Sequence, residues 1–248
     1  MTFFNTKQIY FANLMIKYFS VLPFLFLAFN MHGQEVVPQK KSSIDLSIAS
    51  NFNNTTAEAL SWKNMYPIAL KKHFYLGFGI RATAAQINHQ KFVTAPAKVS
   101  EGNFFKKQNE LKLDSFFVPS SSVLAINTAI YMGYQISKKS FIEFNIDFAG
   151  ISFGKKVTGT FESYSLGNAP SKENAKITPY NLLLTGDYDI GTLNSEFSYS
   201  YQLSEKLSVR PGISFIFVEY TTEQKLAFNN DRFRKKSLLP MLGVTYNL

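Results

Sequence analysis

Between Ser43 and Leu248 the chain alternates apolar and polar residues in eight separate runs of 10–14 residues, and no apolar stripe of helical period and useful length appears between them. A period of two sends successive side chains to opposite faces of an extended strand, so each run reads as a strand with one apolar face. The runs are residues 43–52, 59–70, 74–86, 123–136, 141–153, 192–203, 207–220 and 238–248. Their apolar faces carry sets such as Ile44, Leu46 and Ile48, then Leu76, Phe78 and Ile80, then Ile142, Phe144 and Ile146. In the fifth run the apolar phase shifts at Gly150 to Ile151 and Phe153, which predicts a β-bulge.

The connections alternate as well. Residues 71–73, 137–139 and 204–206 are tight and polar, whereas 53–58, 87–122, 154–191 and 221–237 are looser. Short and long ends that alternate along an up-and-down meander are the arrangement of a transmembrane barrel with short periplasmic turns and longer extracellular loops. An even number of strands then returns both chain ends to the short-turn side. The expected fold is all-β: an eight-stranded antiparallel up-and-down transmembrane β-barrel.

The polar face supports that reading. It holds Asp45, Lys63, Arg81, Glu143, Asp147, Glu196 and Arg210, and none of these seven charges falls in the apolar register. A charge facing mid-bilayer costs about 2–4 kcal/mol, so the apolar face is expected to meet lipid and the charged face the lumen. An eight-stranded barrel is wide enough only for its own side chains, so these residues are expected to form a lumenal ion-pair network that closes the bore. The alternative is a network lining a narrow ion path. Trp62, Tyr66, Tyr134, Phe141, Phe153, Tyr201 and Tyr246 fall towards strand ends, where amphipathic rings suit interfacial girdles.

Ahead of the runs, residues 18–29 read YFSVLPFLFLAF behind Lys17, with no acidic residue before Glu35. A membrane-spanning helix needs ~20 apolar residues, so this segment suits a signal-peptide core better than an anchor. The expected organisation is a signal peptide over residues 1–33, with 1–14 an upstream extension of the reading frame. A short periplasmic segment over 34–42 and the barrel over 43–248 complete it. Export leaves 24 basic and 17 acidic residues, a mature charge of +7 against +9 for the whole chain.

An export signal, eight alternating strands, Lys-rich tight turns and an end on the last strand resemble small outer-membrane β-barrel proteins of the OmpA/OmpX/PorT-like kind. The likeness covers residues 42–248, and Tyr246 stands third from the end, where an aromatic is common in that group. The resemblance implies the outer membrane of a Gram-negative-type cell and insertion by the barrel assembly machinery. It also implies contact with outer-membrane lipid and lipopolysaccharide.

Chemistry is sparse. With no Cys there is neither a thiolate site nor a disulfide, and His32, His73 and His89 are the only imidazoles. His89, beside Ser100, Glu101 and Glu110, is the one candidate for rim catalysis, and continued parity would point it inward. No nucleophile, base and orienter can be assigned to one place, so no catalytic, metal or cofactor residue is expected. The basic residues are dispersed and carry no aromatic–basic motif, which argues against nucleic acid. In the last loop Arg232, Arg234, Lys235 and Lys236 cluster near the expected level of lipopolysaccharide phosphates, a charge-complementary contact. Phe104-Phe105 and Phe116-Phe117 in loop 87–122, together with loop 154–191, either dock an envelope protein or fold back over the barrel mouth. Val157–Tyr164 stays strand-like, which extends the fifth and sixth strands as a hairpin. The expected role is non-enzymatic: a closed barrel serving envelope structure or surface contact. A lipid A-modifying enzyme and a small pore are the alternatives.

Overall fold

The computed structural model describes residues 40–68, 73–95, 113–163, 167, 169–184 and 188–248. Residues 1–33, expected as an export signal, Phe104-Phe105 and the residues Ser100, Glu101 and Glu110 lie outside the described residues. The strands are β1 (Lys41–Ser50), β2 (Thr55–Pro67), β3 (Phe74–Thr94), β4 (Ser115–Gln135), β5 (Ser140–Gly154), β6 (Val157–Glu162), β7 (Ser171–Ile177), β8 (Tyr180–Leu182), β9 (Leu193–Gln202), β10 (Leu207–Thr222) and β11 (Arg232–Asn247).

Eight of them close a ring in the order β1–β2–β3–β4–β5–β9–β10–β11, every pairing antiparallel, with β11 returning to β1. The closing seam runs from Ser43↔Asn247 to Ala49↔Met241. These are the eight strands expected from the alternation, joined as a meander, and Lys41 and Asn247 both lie at the short-turn end. The bulge in β5 is real but sits just before Gly150: Ala129 pairs with Asp147 and Thr128 with Ala149, so Phe148 is the extra residue.

The long-loop end holds a second storey that the alternation did not announce. β6 pairs with β4 and with β7, β7 pairs with β10, and β11 reaches across to β3 through Phe233↔Thr94 and Arg234↔Val93. With the β3–β4 and β10–β11 pairings, six strands close a narrower ring above the point where β1 and β2 turn back. That turn is short because Asn51 Oδ1 accepts the backbone N–H groups of Asn53, Asn54 and Thr55. β6 continues β5 along β4 in one register, Val123↔Gly154 and then Phe117↔Thr160, as expected of the strand-like stretch after Val157, whereas β7 takes the place beside β10 that β9 holds lower down. Phe116 and Phe117, expected in a loop, lie on β4, and Arg232 to Lys236, also expected in a loop, lie on β11.

Both faces of the wall change polarity at one level. On the outside the paired row Leu46–Leu60–Ala82–Ile126–Ile151 is apolar, while four residues further up the row Ser50–Thr56–Gln86–Ser122 is polar. Inside, the row Asp45–Ser61–Arg81–Asn127 is polar, while four residues further up Ala49–Ala57–Ala85–Val123 is apolar. The lower storey is thus apolar outside and ionic inside, and the upper storey is the reverse. Apolar surface is stable against lipid or a protein interior and costly in water, so such a wall must pass from one surrounding medium to another.

Candidate functional site

The lower interior gathers all seven charges singled out in the sequence. Lys63 lies 2.6 Å from Asp45 and also pairs with Glu143. Arg210 lies 2.8 Å from Asp45, 3.2 Å from Glu143 and 3.4 Å from Glu196. Arg81 pairs with Asp147 at 2.6 Å and reaches Glu196 at 3.6 Å. Strand parity delivers each of these side chains to the inside, and the antiparallel register brings residues far apart in sequence to one level. Amides and hydroxyls take up the remaining acceptors. Asn127 donates to Asp147 at 2.7 Å, Ser47 to Glu196 at 2.8 Å, and Thr245 to Asp45 at 2.8 Å. Buried charges are tolerated only when paired and hydrogen-bonded in this way.

The charged layer lies between two apolar clusters. Towards the short turns Met65, Tyr75, Ala129, Tyr131 and Phe141 pack together. Phe141 was expected in an outward aromatic girdle; it instead lies on the inward parity of β5, and its ring fits against Gly133, where any Cβ would overlap it. Above the charges, Phe92, Phe116, Val118, Phe161, Ile216 and Phe233 belong to one buried core filling the upper storey. There Gly159 plays the same part for Phe116. The expectation of a wholly polar lumen therefore holds only for the charged layer, because the inward residues form apolar clusters both below it, towards the short turns, and above it, in the upper storey.

The other girdle residues face outward. Tyr66, Tyr134, Tyr201 and Tyr246 stand at the short-turn ends of their strands, with Phe74 edge-on to Tyr134. Lys40 and Lys206 sit over the rings of Tyr66 and Tyr246 at 5.4 and 5.6 Å. At the opposite edge Glu58 is exposed on the outward face beside Ile48 and Ala84. It escaped the sequence reading because β2 begins at Thr55 and not at Ala59.

The basic cluster on β11 is divided. Glu219, fully buried on β10, accepts from Arg232 at 2.7 and 2.9 Å and from Arg234 at 2.7 and 3.1 Å. Both arginines also donate to the Asp189 carbonyl, and the Gly191 N–H donates to Glu219 Oε1, so residues 189–191 are tied to β10 and β11 through Glu219 and its arginines. Arg234 is enclosed and is not available at the surface as the four-cation cluster required. Lys235 and Lys236 remain more accessible, and with Lys91 they edge a cleft of about 230 Å³. Burial lowers the Lys235 ammonium below its ordinary range. No sequence signal isolates Glu219, which sits on the same parity as outward apolar neighbours such as Phe217.

His89 is exposed and not inward. Its φ of 51° breaks the parity of β3, so Ile87 and Phe92 both point inward although one is odd-numbered and the other even. Its ring lies 6.5 Å from that of Phe117. His73 lies at the short-turn end, its Nδ1 3.0 Å from the Gln135 carbonyl oxygen. Ser100, Glu101 and Glu110, weighed with His89 for rim catalysis, lie outside the described residues.

No protein-family model and no curated protein matches the chain. Among solved structures it is similar to Neisserial surface protein A, at 10% identity over 84% of this chain and 96% of that one, TM-score 0.35. It is also similar to Ail, the attachment invasion locus protein of Yersinia pestis, at 9% identity over 85% and 99%, TM-score 0.33. A third is the Pseudomonas putida toluene transporter TodX, at 8% identity over 90% and 92%, TM-score 0.23.

Proposed function

We propose that the protein is a non-enzymatic integral outer-membrane barrel whose interior is sealed and whose upper storey acts at the cell surface, in envelope structure or protein contact. The observation that carries this reading is the reversal of polarity at one level on both faces of the wall. A lower storey with Leu46, Leu60, Ala82 and Ile126 outside suits lipid, and an upper storey with Gln86 and Ser122 outside suits water. On this reading the short turns are periplasmic and the long connections extracellular. Residues 1–33 act as the export signal, and the barrel assembly machinery inserts the chain. Lipopolysaccharide phosphates meet Lys235 and Lys236, and charge reversal at those two lysines is expected to weaken lipopolysaccharide binding.

The apolar clusters above and below the ion pairs support a non-conducting barrel over a small pore. Purified protein reconstituted in planar lipid bilayers is expected to give no steady conductance. Reproducible unitary steps at modest voltage would overturn the sealed interior. Lipid A of unchanged mass in cells with and without the protein is expected, and a modified species would favour the enzymatic alternative.

A further inference from the structure

Below the ion pairs, at the short-turn mouth, the ring opens on a cavity of about 220 Å³. Lys41, Gln135, Lys139, Phe141, Ser200 and Thr245 are among its lining residues. Two polar groups there lack the partner their chemistry asks for. The Lys41 ammonium lies 5.3 Å from the centre of the Tyr75 ring and 5.0 Å from that of Phe141. Among the described residues no carboxylate is within ion-pair distance of it. The nearby acid Glu143 is already held by Lys63 and Arg210. Gln135 spends its amide N–H groups on the Ser140 carbonyl, at 3.2 Å, and on that of Ser137, and its Oε1 is enclosed with no donor. A buried acceptor left without a donor costs about 1–3 kcal/mol, so a ligand that supplies an N–H recovers that loss.

An unpaired ammonium and an unsatisfied amide oxygen on residues that line one cavity ask for an anion and an N–H on one molecule. Aromatic faces add attraction for the cation without neutralising it, so its charge stays available. Lys138 and Lys139 at the lip add positive charge, opposed there by Glu205. The geometry points to this mouth as a binding site for the C-terminal end of a peptide, its carboxylate on Lys41 and its terminal amide N–H on Gln135 Oε1. The compartment, the periplasm, rests on the membrane orientation proposed above; the binding itself does not. Two sources carry this chemistry, a protein C-terminus and a cell-wall stem peptide, and they differ in the hand of their residues.

The test is an NMR titration of the full chain, folded in detergent micelles, with N-acetyl-alanyl-alanine in its L,L and D,D forms. Parallel titrations use the C-terminal amide of each form and inorganic phosphate. Saturable shifts confined to the short-turn mouth are expected with the acid, at least tenfold tighter than with the amide or with phosphate. The tighter of the two forms names the source. Lys41→Gln is expected to weaken binding at least tenfold, and Lys139→Gln, an exposed change that leaves the core untouched, by a few-fold. A dispersed spectrum verifies that each variant is folded, and Lys139→Gln still decides the matter should Lys41→Gln fail that check. Equal binding of phosphate and peptide, binding unchanged in either variant, or no saturable shift at all would overturn the proposal.

Discussion

Arg81 on β3 and Asp147 on β5, separated by 66 positions in the sequence, meet inside the barrel through two hydrogen bonds to one oxygen, from Nε at 2.9 Å and Nη2 at 2.6 Å. Both side chains are completely enclosed. Enclosure makes the pair costly to break, because removing one partner strands a charge in a low-dielectric interior. Arg81→Met is therefore expected to destabilise the barrel by about 3–5 kcal/mol, whereas Arg81→Met combined with Asp147→Leu recovers a large part of that loss. Urea unfolding in lipid vesicles, followed by the fluorescence of the single tryptophan, Trp62, reads both values. An Arg81→Met midpoint equal to that of the parent would show that the pair is not enclosed.

The upper storey has its own core, so it should loosen separately. Phe116 is fully buried there, 5.7 Å from the ring of Phe233. Phe116→Ala is expected to cost about 3–5 kcal/mol within that core. Amide hydrogen exchange should accelerate in β6 and β7 and stay unchanged in β1. Uniform acceleration through both storeys would contradict two distinct cores.

Much of this architecture was legible in the alternation itself, because the lower storey obeys one rule on all eight strands. Asp45, Lys63, Arg81, Glu143, Asp147, Glu196 and Arg210 were identified as a lumenal set by parity alone, and the structure places them within one network. The upper storey was not legible for a physical reason. There the rule is inverted, and His89 in a left-handed conformation shifts the parity between Ile87 and Phe92. Phe116 and Val118 consequently read as apolar residues in a loop, while Phe161 fell in a stretch already read as strand-like but not assigned to a core. Glu219 was hidden differently: its partners include Gly191 and two arginines that also hold the Asp189 carbonyl, contacts from distant parts of the chain that no local pattern records.

Glu219 holds residues 189–191 through the two arginines and the Gly191 N–H. Glu219→Ala leaves Arg234 buried without its counter-charge, and a cost of about 3–5 kcal/mol is expected, concentrated in the upper storey. Limited proteolysis should then cut within residues 188–192 before the barrel is lost. Unchanged protection of that segment would show that it is held by other contacts.

Lys235 carries a pH dependence of known sign. Burial lowers its pKa from the ordinary 10.5, so the folded state disfavours the charged form. The penalty is fully present below the folded-state pKa and fades as pH rises through it towards 10.5. Lys235→Met should raise the urea midpoint at neutral pH, and the advantage should shrink in the alkaline range. An advantage independent of pH would assign the gain to packing instead of charge.

The central claim is that the outer face of the lower storey meets lipid and that of the upper storey meets water. The chain has no cysteine, so a spin label on a single introduced cysteine reports one position without background. Positions 76, 80, 86 and 88 of β3 all face outward and climb the wall in order. In reconstituted bilayers, labels at 76 and 80 should be relaxed by dissolved oxygen and shielded from a water-soluble nickel chelate, with the preference reversed at 86 and 88. Equal exposure to the chelate at all four positions would contradict the account.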